Sequence, residues 1–325
     1  MKKLIWVIIG TIVLGALLIF TISQEEKDRD DSISFYVNGT LRIDSWEDSE
    51  HKLVYAFLPS CADLNTTTVS IPKGMHIVLD KKELVSGVAC SDFSWNTEYP
   101  LIINGSQVKT MVFKHAENTP AVFVETVKKG AIARVHGDED HKEHVAVSLY
   151  KASGELAYQG SSTDLIRAHG NSTLRKEKKS YNLYLQTASA LVEGREFDRW
   201  VLLANATDAT NLRNKTVFDF AKSIGNNSLF SPESEFVDLY INGEYRGLYL
   251  LCEPVLSAAK RMVPSVSDSQ TILYQFELPW RLEGDGFLDQ YGRGIQIKSP
   301  NPYSDEDEAA VLECIAGIYQ SASSA

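Results

Sequence analysis

The tightest constraint on this chain's fold lies between Glu235 and Cys252. Glu235-Phe-Val-Asp-Leu-Tyr-Ile241 and the run from Glu244 to Cys252 carry strand-type residues on either side of Asn242-Gly243. Asn-Gly between two strand patterns is the strongest short-range signal for a hairpin with a two-residue turn. Such pairing sets Tyr240 opposite Tyr245 and Leu239 opposite Arg246. The second strand runs into Glu253-Pro254, where proline ends the ladder and the chain must turn.

A second constraint is Ile166 to Leu185. It reads as a strand (Asp164 to Ala168), a polar turn (His169 to Thr173), a basic run (Arg175, Lys176, Lys178, Lys179) and a second strand. Gly170 lets backbone N–H groups approach an anion closely, and the lysines would neutralise it. An ordinary hairpin with a solvated basic loop is the competing reading. The pleat bears on the choice. If Lys179 begins the second strand, it shares a face with Tyr181, Leu183 and Leu185, and a lysine on a core-facing row needs an anionic partner. A one-residue bulge would exchange Lys179 for Lys178.

Between these hairpins, Trp200 to Ala204 reads as a short buried strand or turn. A helix is predicted over Ala209 to Ile224, with Asp208 as N-cap and Gly225 at C′. Its apolar stripe, Val217, Phe220, Ala221 and Ile224, extends back to Arg213 and Asn214. The core-facing side would then start with a guanidinium near the positive end of the helix dipole, where an anion is favoured. A structural ion pair with a neighbouring strand explains the same arginine.

The remainder is largely β-patterned. Short runs from Ile33 to Phe113, punctuated by Asn-Gly, Pro and Lys-Gly, predict a small β-sandwich. Ala121 to Val127, Ala131 to His136 and Val145 to Lys151 read as further strands. The intervening loop, Gly137 to His144, holds two histidines and four acids; a metal could use them, but a charged loop is the commoner occupant of such a position. Gln270 to Glu277 and Gly294 to Lys298 read as strands, and Asp305 to Tyr319 as a helix with an acidic start. Cys61, Cys90, Cys252 and Cys314 are too widely spread for a zinc motif, and a disulfide between Cys61 and Cys90 is open to an exported chain.

Export itself is read from the first residues. Lys2 and Lys3 precede an uncharged run from Leu4 to Ser23, long enough at about 1.5 Å per residue to span a hydrocarbon core of about 30 Å. The lysines place the amino end in the cytoplasm and the bulk outside. A cleaved signal, giving a secreted protein, is the alternative. The net charge of −11, with no basic tract interleaved with aromatics, argues against nucleic-acid binding.

A glycine turn beside a basic strand, a helix, and an antiparallel pair ending in Glu-Pro is the element order of a protein-kinase small lobe. The residues resemble the spore-coat protein H (CotH) family of atypical kinases: IRAHGNST at 166–173, KKSYNLYL at 178–185, WVLLANATDATNLRNKTVFDFAKSIG at 200–225, FVDLYINGEYRGLYLLCEPV at 236–255 and IQIKSPNP at 295–302. The resemblance implies transfer of the ATP γ-phosphoryl group, with Mg²⁺ or Mn²⁺, to Ser or Thr of extracytoplasmic coat or cell-surface proteins. It places Gly170, Asn171 and Ser172 over the phosphates, with Lys179 (or Lys178) as the phosphate-binding lysine. Arg213 would face the cleft and Glu253 would lie near the adenine hinge.

The chain departs from the family's Arg-Gly-Arg-Gly-Asn-Ser-Thr-Trp pattern at Ala168, His169 and Leu174. The family's catalytic aspartates are expected beyond residue 325, since no aspartate follows Asp307. The expected architecture is therefore α+β. It comprises a membrane anchor (1–23), a charged linker (24–32), a β-sandwich-like domain (33–115) and a CotH kinase-like domain (120–325), with a small lobe of antiparallel sheet plus one main helix and an incomplete large lobe. A non-enzymatic surface or coat protein that binds without transferring phosphate is the alternative.

Overall fold

The structure, a computed structural model, describes residues 32–128, 130–170, 172–194, 196–224, 231–254, 272–300 and 302–323. The predicted span Leu4 to Ser23, the linker to residue 31, Asn171 and Gly225 lie outside them. Among the described residues no helix is long and apolar enough to cross a membrane. The chain divides into two compact units, Met1–Pro254 and Val255–Ala325.

The first unit begins with nine strands: β1 (Ser34–Val37), β2 (Leu41–Asp44), β3 (Trp46–Asp48), β4 (Leu53–Leu58), β5 (Thr68–Ser70), β6 (Ile77–Leu79), β7 (Lys82–Glu83), β8 (Glu98–Ile103) and β9 (Ser106–His115). They form a three-stranded sheet, β2-β1-β5, and a six-stranded sheet, β3-β4-β9-β8-β6-β7. Alternation explains their packing: in β4, Val54, Ala56 and Leu58 are buried while Leu53, Tyr55 and Phe57 are only partly covered. Both sheets bury one core, around Phe35, Ile43, Leu79 and Phe113. Cys61 and Cys90 are free thiols, so the disulfide considered from sequence is not formed.

Eight more strands follow: β10 (Ala121–Thr126), β11 (Glu143–Tyr150), β12 (Leu156–Gln159), β13 (Asp164–His169), β14 (Ser180–Ser189), β15 (Phe197–Leu203), β16 (Ser234–Ile241) and β17 (Glu244–Cys252). They run in the order β10-β16-β17-β15-β14-β13-β11-β12, and β10 also pairs with β11. That extra pairing closes all but β12 into a barrel. The expected small and large kinase-like lobes are thus replaced, in the described residues, by a closed β-barrel in an α+β chain. Closure satisfies the edges that an open sheet would expose.

Two local readings change as well. Ala131–Gly137 is a helix, α1, not a strand. Gly130 enters it with φ 67°, and Ala131, Ile132 and Val135 are buried on one helical face; a run of six residues is too short to separate the two periodicities. The second helix, α2, spans Arg213–Ile224 and buries none of its residues. Val217 and Phe220, 62% and 61% exposed, point away from the described core, contrary to the stripe reading. Its ties are polar: Asn214 Nδ2 donates to Asn205 Oδ1 (2.8 Å), and Lys222 pairs with Glu233.

The Val255–Ala325 unit is small. Strands β18 (Leu273–Glu277), β19 (Phe287–Leu288) and β20 (Gly294–Ser299) form an antiparallel sheet in the order β18-β20-β19. Helix α3 (Asp305–Ser323) lays Val311 and Ile315 on Ile295 and Ile297. Ser304 and Asp307 bond reciprocally at its start, 2.8 and 3.2 Å, a capping box that explains where the helix begins.

Candidate functional site

The turn between β13 and β14 is built around Gly170, whose φ of +108° is closed to most side chains and whose missing Cβ would collide with Thr173 Oγ1. A 3₁₀ turn, Ser172–Arg175, then delivers the basic run. Strand β14 starts at Ser180, and Tyr181, Leu183 and Leu185 are buried as the pleat predicts. Lys179 lies just outside the strand, and its partners are not anions. Its Nζ donates to Leu174 O (2.7 Å) and Lys176 O (3.1 Å), bracing the turn. Lys178 reaches the other way, donating to Leu248 O (2.6 Å) with its Nζ 4.6 Å from the Tyr249 ring centroid. Burial lowers the Lys178 pKa.

Both lysines line one cavity of about 500 Å³ at the barrel's end. Tyr181, Tyr249 and His136 form part of its wall, and Arg246 and Glu244 enter from β17. Arg246 is there because of a bulge. Tyr240 pairs with Tyr245 as expected, but the register then shifts, so Leu239 faces Gly247 and not Arg246. Gly247 takes φ +94°, and the extra residue re-aims the guanidinium. Arg246 Nη2 lies 2.7 Å from Glu244 Oε2, while its Nε is buried without a hydrogen-bond partner among the described residues.

His136 Nε2 sits 2.8 Å from Tyr181 Oη, and Tyr249 donates to Lys179 O (2.9 Å). Burial, then the charges of Arg246 and Lys179, push the His136 pKa down to about 4, and burial raises that of Tyr181 to about 12. The wall therefore presents neutral rings between cations. Neither His136 nor Arg246 was singled out from the sequence. A glycine inside a strand pattern, here Gly247, was the available sign of a bulge.

Arg213 and Glu253 do not line this cavity. Arg213 is 78% exposed at the start of α2, 3.7 Å from Asp208 Oδ1. The helix starts at Arg213, four residues later than expected, so Asp208 is not its N-cap residue; its carboxylate reaches forward and accepts from Arg213 N (2.9 Å) and Thr210 N (3.1 Å). Glu253 is buried just beyond β17, at the far end of that strand from Arg246. Among the described residues no three His, Cys, Asp or Glu side chains converge as a metal site. In the loop after α1, His141 pairs with Glu143 at 3.0 Å.

Fold and cavity together define a mainly β, α+β protein whose closed barrel opens on a cationic cleft beside a glycine turn. Residues 166–324 match the family model for CotH kinase protein, a stretch that begins with the strand leading into that turn. That match places residues 166–324 in the CotH kinase family. No curated protein matches it.

Proposed function

We propose that the chain is a membrane-anchored, extracytoplasmic CotH-type kinase that transfers the ATP γ-phosphoryl group to Ser or Thr of spore-coat or other cell-surface proteins. The observation that carries this reading is the cleft: Lys178, Lys179 and Arg246 converge on one cavity, and Arg246 Nε is a buried donor awaiting an acceptor. These groups fit a polyphosphate, since phosphoryl transfer asks the protein chiefly for positioning and charge neutralisation. Lys178 and Arg246 would grip phosphate oxygens, Lys179 would hold the turn, and Gly170 would let main-chain N–H groups approach them. A bound divalent metal would neutralise charge on the phosphates. Among the described residues no three His, Cys, Asp or Glu side chains converge to hold it. Placement outside the membrane rests on Lys2, Lys3 and the run Leu4 to Ser23.

One feature favours the second reading, a surface protein that binds without transferring. The amines of Lys178 and Lys179 are already satisfied by main-chain carbonyls. Radiolabelled ATP supplied to the full chain with Mg²⁺ or Mn²⁺ separates the two: label on Ser or Thr of coat or surface protein supports the kinase, and ATP binding without transfer supports the binder. In either case Lys178→Ala should weaken ATP binding about tenfold or more, the worth of a charge-assisted hydrogen bond, while Lys82→Ala, exposed in the N-terminal sheets, changes it little. Equal effects at both positions would remove the cleft from the account.

A further inference from the structure

Successive residues of β13, β14 and β15 face opposite sides of the barrel wall. Tyr181 points inward to the cleft, so Asn182 points outward. The register pairs Arg167 with Asn182, and Tyr184 with Arg199. Arg167, His169, Asn182, Tyr184 and Arg199 therefore share the outer face.

That face is organised around a buried amide. Asn182 is only 1% exposed because its neighbours cover it. Arg199 donates to its Oδ1 from Nε (3.3 Å) and Nη2 (3.0 Å), and His169 bonds it as well. Lys142 Nζ and the Arg199 guanidinium lie 4.3 and 5.7 Å from the Tyr184 ring centroid. Against this collection the described residues set one paired carboxylate, the exposed Asp140, at 3.9 Å from Arg167 Nη1. Arg167 Nε is buried with no hydrogen-bond partner among them. Arg167 and Arg199 come from the two strands that flank β14, and an unmade bond at a buried donor is costly. The arrangement has the charge and the open donor that an anion would satisfy.

We infer that this outer face is a second anion site, separate from the Lys178 cleft, and that it takes a phosphate group. Two guanidinium forks beside an ammonium suit a tetrahedral dianion better than a single carboxylate. The inference does not depend on the kinase reading.

Calorimetric titration of the full chain with pyrophosphate, inorganic phosphate and ATP tests it. Pyrophosphate binding should weaken about tenfold or more in Arg167→Gln and in Arg199→Gln, and stay within about twofold in Lys82→Ala, an exposed lysine of the N-terminal sheets. Arg199→Lys keeps the charge without the fork and guards against a misfolded glutamine variant; it should lose affinity with an unchanged circular dichroism spectrum. If ATP follows the arginine variants, the phosphate is a nucleotide's and the cleft reading falls while this site stands. If ATP follows Lys178→Ala alone, the outer site takes phosphate from another source. The inference is overturned if none of the three anions binds, or if binding is indifferent to both arginines.

Discussion

Gly170 shows how much can rest on a missing side chain. With φ at +108° and Thr173 Oγ1 where a Cβ would go, Gly170→Ala should cost about 1–3 kcal/mol in urea unfolding, the usual charge for a non-glycine residue in such a conformation. Thr173→Ala in the same chain should recover only the steric part, and full recovery would show that φ is not strained. Two buried titratable groups make a second prediction. His136, held down to about 4, stays neutral in the folded chain while an unfolded imidazole protonates near 6.5. Its contribution to stability is whole above pH 6.5 and is lost as pH falls to about 4. Asp238 has the opposite sign. Burial raises its pKa from 3.8 to about 6 against the Tyr245 hydrogen bond, so its contribution is whole below 3.8 and lost as pH rises through 6. Asp238→Asn should therefore stabilise the chain at about pH 7 and steepen its loss of stability on acidification, and His136→Asn should flatten that slope. Urea midpoints unchanged across this range would refute the assignment. Lys178 and Lys179 were legible as candidates because charge beside a glycine turn is a local pattern. Arg246 and His136 were not, since one depends on a bulge and the other on which helix packs beside Tyr181.

At the scale of elements, the Asn242-Gly243 hairpin is the clearest agreement between pattern and structure. Both turn residues take positive φ, 53° and 86°, the signature of a type I′ turn. The turn is also docked: Gly243 O accepts from Asp44 N (2.8 Å), and Thr126 N and Oγ1 donate to Asn242 Oδ1 (2.8 and 2.9 Å). An alanine Cβ at 243 would sit 3.1 Å from Asp44 Oδ2. Gly243→Ala should cost about 1–2 kcal/mol, measured as a shift in urea midpoint with unchanged slope. A neutral result would mean that the turn relaxes without the Asp44 contact. The helix Arg213–Ile224 teaches the reverse lesson. Its apolar spacing was read correctly, but a stripe records only that one side is apolar and not which neighbour covers it.

In the whole of the Met1–Pro254 unit, two cores are sewn together by shared strands. On β10, Ala121 and Phe123 belong to the core of the N-terminal sheets while Val122 and Val124 belong to the barrel; on β16, Tyr240 serves the first and Val237, Leu239 and Ile241 the second. Phe123 stacks on Tyr240 at 4.7 Å. Phe123→Ala should cost about 3–5 kcal/mol and weaken both layers together. Hydrogen exchange in peptides from β4 and β9 and from β14 and β15 would report it, and a response confined to the N-terminal sheets would show that the cores are independent. The sequence by itself determined most strands, the Asn-Gly hairpin, the glycine turn with its lysines and the CotH resemblance, because each depends on residues close together in the chain. Only the tertiary structure decided that the sheet closes on itself, that Arg246 and His136 meet Lys178, and that the apolar side of the Arg213–Ile224 helix is left open. Those outcomes rest on pairings such as Ala121 with Asp238, between segments far apart in the chain, which local periodicity does not encode.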